Sequence, residues 1–285
     1  ALRDQPPFPA SAMDGYAIRE ADHQAGRQLR IVGTSAAGHA FGGSVATGEA
    51  VRIFTGAPVP EGADRVVLQE DVEATGDTVT LGPKLEPANH IRPLGQDFRA
   101  GDRLRAPRLL TAKDLALIAS MNLAEVRVAR RPVMALIATG DELVMPGEVP
   151  RPDQIIASNS FALAAMAESA GAEVRMLPIA HDTEVSLRQA FALAGGADLI
   201  VTIGGASVGV HDLVGKVAGG LGMERSFWQI AMRPGKPLMA GRMAGAAILG
   251  LPGNPVSAIV CGHLFMLPLI RAMQGLPDAP APTLR

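Results

Sequence analysis

The chain has 285 residues, 48% of them hydrophobic, so it is long enough to bury one or two large cores. Its formal net charge of −2 argues against nucleic acid as the main partner, because binding to phosphates requires clustered Lys and Arg side chains. The single cysteine, Cys261, excludes an internal disulfide, and the sequence has no CxxC or HExxH spacing to indicate a zinc or iron–sulfur site.

The apolar runs are short: residues 199–203, for example, fall far below the ~20 residues that span a bilayer. No signal peptide opens the chain. These features predict a soluble, cytoplasmic protein without membrane contact. The sequence begins with Ala1 where an initiator Met is expected, which is consistent with segments missing at either end.

Short β-branched runs separated by glycine and proline occupy residues 10–92 and predict a compact β-barrel or sandwich. The runs are 29–32, 51–54, 65–69 and 78–81. A helix is predicted over about 111–121, where Thr111 suits the N-cap and Asp114 follows at capping-box spacing. This helix connects two differently patterned halves of the chain.

From Pro132 onward, apolar strands alternate with helices, which predicts an α/β domain with a mostly parallel sheet. The predicted strands are 133–138, 174–179 and 199–203, and the predicted helices are 160–170, 184–194 and 255–273. Residues 275–285 are proline-rich and resemble the start of a linker. Ligands of such sheets bind at the carboxyl ends of the strands, so the loops there are the candidate sites.

Two of these loops suggest anion or cation binding. Asp141 and Glu142, within TGDEL at 139–143, follow a strand and are costly to bury without a partner, although a helix cap or turn is the alternative. The glycine loop 204–209 can turn backbone amides toward a phosphate, and a tight strand-to-helix turn is its alternative. The candidate binding residues of this loop are Gly204, Gly205, Ser207 and Gly209.

The same loop contains Gly-x-Ser-x-Gly, the nucleophile elbow of α/β-hydrolases, with Ser207 as its serine. That fold requires an acid and then a histidine well downstream. The aspartates after Ser207 are Asp212, which is too close in sequence, and Asp278, which follows every histidine. The serine hydrolase interpretation therefore lacks its triad.

Two later loops are also candidates. Arg233 and Lys236 lie in a proline-framed turn and could clamp the oxygens of a phosphate or a similar oxyanion, although a solvated basic hairpin is the alternative. In the loop 250–257, Asn254 suits an N-cap and Pro255 a first helical turn, so this motif taken alone is structural.

Several acidic residues stand alone in the sequence, and each by itself is typical of a turn or cap. If they converge, each close pair costs about 4 kcal/mol at ~4 Å with an effective dielectric of about 20, which a hard divalent cation would relieve. Oxygen ligands without a Cys or His cluster favour magnesium. The acids concerned are Asp14, Asp97, Glu142, Asp182 and Asp212.

Six motifs occur in order along the chain. They are SAMDGYA at 11–17, FTGAPVP at 54–60, TGDEL at 139–143, GGASVG at 204–209 with Asp212 three residues on, PGKP at 234–237 and LPGNPVSA at 251–258. Together they closely resemble the molybdopterin molybdenumtransferase family, which includes bacterial MoeA and the gephyrin E domain. The resemblance covers about 7–271.

The resemblance implies a three-layer α/β molybdopterin-binding domain at 131–274 and a β-rich, barrel-like domain at 10–91. It also implies a partial helical connecting domain at 1–9 and 92–130, and a linker from 275 to 285 toward a C-terminal domain outside this sequence. Part of the family's N-terminal helical segment is missing as well. Family members are homodimers whose active-site cleft combines the α/β domain of one subunit with the β-rich domain of the other.

The activity implied is insertion of molybdate into adenylylated molybdopterin with release of AMP, with Mg²⁺ near the acids as cofactor. Contact with an adenylyltransferase partner is also implied. By position, the catalytic residues are Asp14, Thr55, Asp97, Glu142, Asp182 and Asp212, of which Glu142, Asp182 and Asp212 would hold the metal. The substrate-binding residues would be Gly204, Gly205, Ser207, Gly209, Arg233, Lys236, Pro252 and Pro255.

The chain departs from the family pattern at a few positions. Gln229 and Arg233 stand where the family often has Lys, so one positive charge is lost and another changes geometry. Since the same fold also serves as a molybdopterin carrier or scaffold, a non-catalytic binding protein is the alternative function. A carrier would retain its ligand without turnover.

Overall fold

The computed structural model describes residues 1–205 and 213–277, and the chain divides into two compact units. Unit 1 comprises Ala1–Ala106 and Leu110–Val126, and unit 2 comprises Pro107–Leu109 and the chain from Arg127 onward. The helix of the predicted connecting segment is thus grouped with the β-rich unit. The three-domain division stays a prediction.

Unit 1 is β-rich, as predicted. Its elements are β1 (Ala10–Ser11), β2 (Gly15–Ile18), β3 (Gln28–Ser35), β4 (Glu49–Ile53), β5 (Arg65–Leu68), β6 (Val72–Thr75), β7 (Thr78–Leu81), β8 (Ile91–Arg92) and α1 (Ala112–Ser120), with 3-10 turns at Glu20–Asp22 and Gln69–Asp71. Six strands form one sheet in the order β5-β2-β4-β3-β7-β6, and β1 pairs with β8. The ladder ends at β5 and β6, so this sheet is open and does not close into a barrel by pairing.

Strand β2 lies inside this sheet, between β4 and β5. The sequence analysis missed it because all four residues are buried, so Gly15–Ile18 has no alternation of polar and apolar positions. Tyr16 and Ile18 belong to one apolar cluster and Ala17 to another. Successive side chains of a strand point to opposite faces, so β2 contributes to a core on each face of the sheet.

The predicted helix cap of α1 is confirmed. The hydroxyl oxygen of Thr111 accepts a hydrogen bond from the backbone N–H of Asp114, and the Asp114 carboxylate accepts one from the backbone N–H of Thr111 at 2.8 Å. This reciprocal pair is a capping box, which satisfies two backbone donors that the first turn leaves free.

Unit 2 is the α/β half. Its elements are β9 (Val133–Ala138), β10 (Leu143–Val144), β11 (Ile155–Ile156), α2 (Ser158–Ser169), β12 (Glu173–Met176), α3 (Glu184–Leu193), β13 (Leu199–Ile203), α4 (Leu213–Gly220), β14 (Glu224–Trp228), β15 (Met239–Met243), β16 (Ala246–Leu251), α5 (Pro255–Cys261) and α6 (Leu267–Met273). The main sheet has the order β12-β9-β13-β16-β15-β14. Its first four strands are parallel and the last two are antiparallel, so the sheet is mixed.

Helices cover both faces of this sheet. Met134 and Leu136 of β9 pack with residues of α2, α5 and α6, whereas Ala135 and Ile137 pack with residues of α3 and α4. Strands buried on both faces appear in the sequence as continuous apolar runs, which is why β9 and β13 were predicted with their observed bounds.

Strands β14, β15 and β16 were not predicted. Glycine weakens the strand signal of β15 and β16, yet the packing of β15 requires it: a Cβ atom at Gly241 would lie 2.5 Å from the carbonyl oxygen of Glu224. The tight turn between β15 and β16 has positive φ angles at Ala244 and Gly245. These constraints are tertiary, so the pattern of apolar residues does not reveal them.

The last helix runs without interruption from Pro255 to Met273, as predicted, with a π-helical turn at Gly262–Met266. It is long and apolar enough, by length and composition, to cross a membrane, so the expectation that all apolar runs are too short was wrong for this segment. However, Cys261, Met266 and Ile270 are fully buried in the core of unit 2. In total, 33% of the apolar window of this helix is buried in the structure, and one helix of this length and composition is weak evidence for a membrane span.

We expect Gly15→Ala to destabilise unit 1, because a Cβ atom at Gly15 would lie 1.9 Å from the carbonyl oxygen of Val67 on β5. The free energy of unfolding should fall by roughly 1–3 kcal/mol, as for other overpacked sites. Gly42→Ala is the matched control, since nothing lies within 4 Å of a Cβ there and its φ is not positive. Urea unfolding followed by circular dichroism measures both, and equal midpoints would contradict the prediction.

Candidate active site

A cavity of about 610 Å³ lies in unit 2 at the carboxyl ends of β9, β13 and β16. Its walls come from the loops after these strands and from the N-terminal turns of α2 and the last helix. The cavity is thus where parallel-sheet architecture places ligand sites. Six of the residues predicted from the sequence line it: Glu142, Asp182, Gly204, Gly205, Pro252 and Pro255.

The glycine turn after β13 has a physical reason for its composition. Gly204 and Gly205 have φ angles of +86° and +66°, which L side chains rarely adopt. A Cβ at Gly204 would lie 2.8 Å from the carbonyl oxygen of Thr139, and one at Gly205 would lie 2.2 Å from the Cγ2 of Val214. The backbones of two loops therefore approach each other at a distance that only glycine permits.

The loop before the last helix has the predicted structural role. The Asn254 side chain accepts a hydrogen bond from the backbone N–H of Ser257 at 3.3 Å, and Pro255 is in the first turn. The side-chain amide of Asn159 on α2 donates to the carbonyl oxygen of Gly253 at 2.8 Å. This bond, which the sequence did not predict, joins two walls of the cavity.

The N-terminus of α2 is a further feature that the sequence analysis missed. The helix begins at Ser158, two residues before the predicted start, and Ala157 at its N-cap provides no side-chain cap. Ala157, Ser158, Asn159 and Ser160 all line the cavity. Since the first amides of a helix lack partners within it and carry positive partial charge, this 12-residue helix offers an anion site.

Acidic side chains crowd one wall of the cavity. Burial raises the pKa of Asp182 above its usual value, and the negative charges of Asp141 and Glu142 raise it further. Asp141 itself is engaged, because its Oδ1 contacts the Nδ1 of His181 at 3.0 Å and accepts from the backbone N–H of Asp182 at 3.2 Å. The sequence predicted that Glu142 and Asp182 share a site but did not reveal the Asp141–His181 contact.

The position of Glu142 depends on Gly140. This glycine has a φ of +145°, and a Cβ added there would lie 2.3 Å from the Oε2 of Glu142. The carboxylate thus packs over the glycine backbone, and a side chain at residue 140 would displace it.

The basic loop provides one lining residue, Pro237, next to Lys236. Arg233 and Lys236 are both exposed, and neither has an ion-pair partner among residues 1–205 and 213–277. The carbonyl oxygen of Lys236 accepts from the backbone N–H groups of Ile230 and Leu238, both at 3.0 Å, which fixes the turn. Contact of these two cations with substrate stays a prediction.

Two predicted residues of unit 1 contact each other. Asp14, just before β2, accepts two hydrogen bonds at Oδ1 from Thr55, one from the backbone N–H at 2.8 Å and one from the hydroxyl at 2.7 Å. These bonds, backbone first, lower the pKa of Asp14, and the charge of Arg52 lowers it further. The pair therefore presents a fixed, ionised carboxylate.

Asp97 has a different partner. Both of its carboxylate oxygens accept from the Nη2 of Arg92, at 2.6 and 2.8 Å. Arg92 was not singled out in the sequence, where nothing but proximity in the chain relates it to Asp97.

Ser207, Gly209 and Asp212 lie outside the described residues. Within residues 1–205 and 213–277, no group of three His, Cys, Asp or Glu side chains could hold a metal ion. Of the five acids considered together, Glu142 and Asp182 line one cavity, whereas Asp14 and Asp97 belong to unit 1 and are engaged by Thr55 and Arg92.

We expect Asp182→Asn to raise the melting temperature at pH 7 when a chelator is present. Folding raises the pKa of Asp182, so the protonated carboxyl contributes to the stability of the folded state. This contribution to stability is lost as the pH rises through the pKa of the folded protein, because the carboxyl then ionises. The side-chain amide of the variant is uncharged at either pH. The difference in melting temperature between the variant and the parent protein should therefore decrease as the pH falls toward the ordinary aspartate pKa of about 3.9.

Asp153→Asn is the control, because Asp153 lies on the surface of unit 2 with its side chain 74% exposed. Its effect on the melting temperature should be small, as for most surface substitutions. A pH-independent difference between Asp182→Asn and the parent protein would contradict the electrostatic explanation.

Comparison with known proteins places the chain in a family. Residues 1–122 match the family described as MoeA N-terminal region (domain I and II), and residues 135–272 match the probable molybdopterin binding domain. A crystal structure of a molybdopterin biosynthesis MoeA protein from Pyrococcus horikoshii is 32% identical, with a TM-score of 0.77, over 96% of this chain and 70% of that one.

Two curated relatives agree with this match. A molybdopterin molybdenumtransferase of Haemophilus influenzae is 41% identical over 95% of this chain and 67% of its own length. Molybdopterin molybdenumtransferase 2 of Mycobacterium tuberculosis is 39% identical over 96% of this chain and 70% of its own length. This chain thus spans about two thirds of the length of these relatives, and it belongs to the molybdopterin molybdenumtransferase family.

Proposed function

We propose that this protein inserts molybdate into adenylylated molybdopterin and releases AMP, in a magnesium-dependent reaction. The observation that supports this most directly is the cavity of unit 2, where two acidic side chains face a glycine turn and the uncapped start of α2. A site of this kind can bind a pyrophosphate and a cation side by side. The same proposal includes a cytoplasmic homodimer that receives its substrate from an adenylyltransferase.

Phosphate binding would rest on backbone groups. The first turn of α2 offers unpaired amides, and its N-cap residue Ala157 leaves them accessible to a ligand. Gly204 and Gly205 keep the neighbouring wall free of side chains. Arg233 and Lys236 would bind further oxygens of pyrophosphate or molybdate, the former as a fork and the latter as a point charge.

The acidic wall fits a hard cation. Carboxylate oxygens are the ligands that magnesium prefers, and burial together with the negative charges of Asp141 and Glu142 raises the pKa of Asp182, so a cation beside it would favour the ionised carboxylate. Glu142 and Asp182 would hold the ion, with Asp212 as a third proposed ligand. Magnesium bound there would neutralise charge on the pyrophosphate as AMP leaves.

The proposed roles of the other acids follow from their surroundings. Asp14, held in one orientation by Thr55, would act as a fixed negative acceptor toward substrate. Asp97 would set the position of the Arg92 guanidinium, which it binds through both oxygens. The substrate brings its own dithiolene sulfurs, so the protein requires no thiolate ligands for molybdenum.

The direct test is AMP release from adenylylated molybdopterin by this chain, with and without Mg²⁺ and molybdate. We expect release to require both, and to fall at least about 100-fold in Asp182→Asn, since losses of this size are typical when a group that stabilises the transition state is removed. Asp153→Asn should release AMP at the parent rate. Tight retention of the pterin with no release would instead favour a carrier or scaffold.

Magnesium binding can be tested without turnover. We expect Mg²⁺ to raise the melting temperature of the parent protein at pH 7, because an ion that binds only the folded state stabilises it. The shift should disappear in Glu142→Gln and Asp182→Asn and persist in Asp153→Asn. An equal shift in all four proteins would show that the ion binds elsewhere.

A further inference from the structure

An arginine is stacked between two aromatic rings next to the Asp14–Thr55 pair of unit 1. Arg52 of β4 lies directly opposite Tyr16 of β2 in the antiparallel ladder. Its Cζ atom is 5.1 Å from the centre of the Tyr16 ring and 4.7 Å from that of Phe54. Both distances fall within the range of cation–π attraction, so the two rings hold the guanidinium in place.

The same guanidinium donates two hydrogen bonds to the immediate neighbourhood of Asp14. Its Nη1 donates to the carbonyl oxygen of Gly15 at 2.9 Å, and its Nη2 donates to the Oε1 of Gln69 at 2.6 Å. Gly15 follows Asp14 in the chain, and the backbone N–H of Gln69 donates to the carbonyl oxygen of Asp14 at 3.1 Å. Arg52 thus contacts the backbone directly after Asp14 and, through Gln69, the residue whose N–H binds the Asp14 carbonyl oxygen.

The register of the ladder explains why such a support is needed. Gly15 pairs with Ile53, so Asp14 and Thr55 both lie beyond the last regular pair of β2 and β4. Arg52 contacts each strand where the ladder ends, binding Gly15 on β2 and stacking on Phe54, which precedes Thr55. The guanidinium is planar and has forked donors, so one arginine can stack on a ring and donate hydrogen bonds at the same time, which a lysine cannot do.

We propose that Arg52 is a positioning residue for the transfer reaction: it holds Asp14 against Thr55 so that one carboxylate oxygen stays directed at substrate. Oδ1 of Asp14 accepts both hydrogen bonds from Thr55, and Oδ2 has no hydrogen-bond partner among the described residues. This free oxygen is the atom assigned to substrate. The inference rests on the proposed function, in which Asp14 acts on the adenylylated substrate.

The first experiment measures Asp14 itself, without turnover. Carbon-detected NMR of the aspartate carboxyls, with Asp14→Asn to assign the signal, gives its pKa in the parent and in Arg52→Met, Arg52→Lys and Arg30→Met. Thr55 contributes most to the lowered pKa of Asp14, and Arg52 is the charged group that adds to it. We expect the pKa to rise in Arg52→Met, to rise less in Arg52→Lys, and to stay unchanged in Arg30→Met.

Arg30 is the matched control because it is an arginine of the same sheet, 69% exposed and paired with Glu49 at 2.6 Å. An unchanged Asp14 titration in Arg52→Met would overturn the proposal. The NMR result is informative even if the parent protein releases no AMP, so failure of the proposed function and failure of this inference are distinguishable.

The second experiment combines the substitutions in a double-mutant cycle. We expect Arg52→Met to lower kcat/KM for AMP release about tenfold or more, since small losses of orientation are costly to a reaction. In an Asp14→Asn background the same change should cost less than about twofold, because a positioning residue acts through the group that it positions. Equal losses in both backgrounds would show a merely structural role and overturn the proposal.

Discussion

Parallel pairing of β9, β13 and β16 is the constraint on which the candidate active site depends. Ile203 at the end of β13 is in register with Ala138 of β9 and with Leu251 of β16. The next residues of the three strands, Thr139, Gly204 and Pro252, must then lie side by side at one edge of the sheet. The loops that begin at Thr139 and Pro252 are more than a hundred residues apart in the chain, and they meet there because parallel strands end at the same edge of a sheet.

Close packing of these loop backbones is the second constraint, and it determines which residues the walls contain. A Cβ atom at Gly204 would lie 2.8 Å from the carbonyl oxygen of Thr139, whereas one at Gly253 would lie in ordinary contact, 3.5 Å from the Cα of Gly204. Their backbone therefore forms much of this part of the cavity wall, while Glu142 and Asp182 supply charge. The backbone at Gly204 and Gly205 carries no side chain, so a phosphate group could approach the main chain closely there.

Much of the fold could be predicted because its strongest signals are local. The runs at β9 and β13 are continuous and apolar, and Thr111 and Asp114 carry the spacing of a capping box. The family resemblance also grouped Glu142 and Asp182, and both line the cavity. What the sequence did not predict depends on contacts between distant segments. Strands β15 and β16 have glycines where other strands approach, and β2 has no alternation because both of its faces are buried.

In the candidate site, too, the features that the sequence did not predict depend on contacts between distant segments. The bond between Asn159 and Gly253 joins residues 94 positions apart, and the pairing of Asp14 with Thr55 follows from the register of β2 and β4. Neither contact leaves a local pattern. The uncapped start of α2 was also missed, because the prediction began the helix at residue 160, two residues inside its first turn. The bounds of a helix are the weakest part of a sequence-based assignment, and here the error hid the uncapped helix start that lines the cavity.

The two best-defined acids lie in opposite electrostatic environments, and this contrast bears on their proposed roles. Donors from Thr55 already satisfy the Asp14 carboxylate, so its charge is stable within the protein alone, and its pKa is lowered. Burial, followed by the negative charges of Asp141 and Glu142, raises the pKa of Asp182, so a nearby cation would favour its ionised form. Acids whose environments move their pKa values apart commonly divide the work of an active site. Under the proposed function, Asp14 would therefore serve as a fixed anion that orients substrate, whereas Asp182, together with Glu142, would hold the magnesium ion.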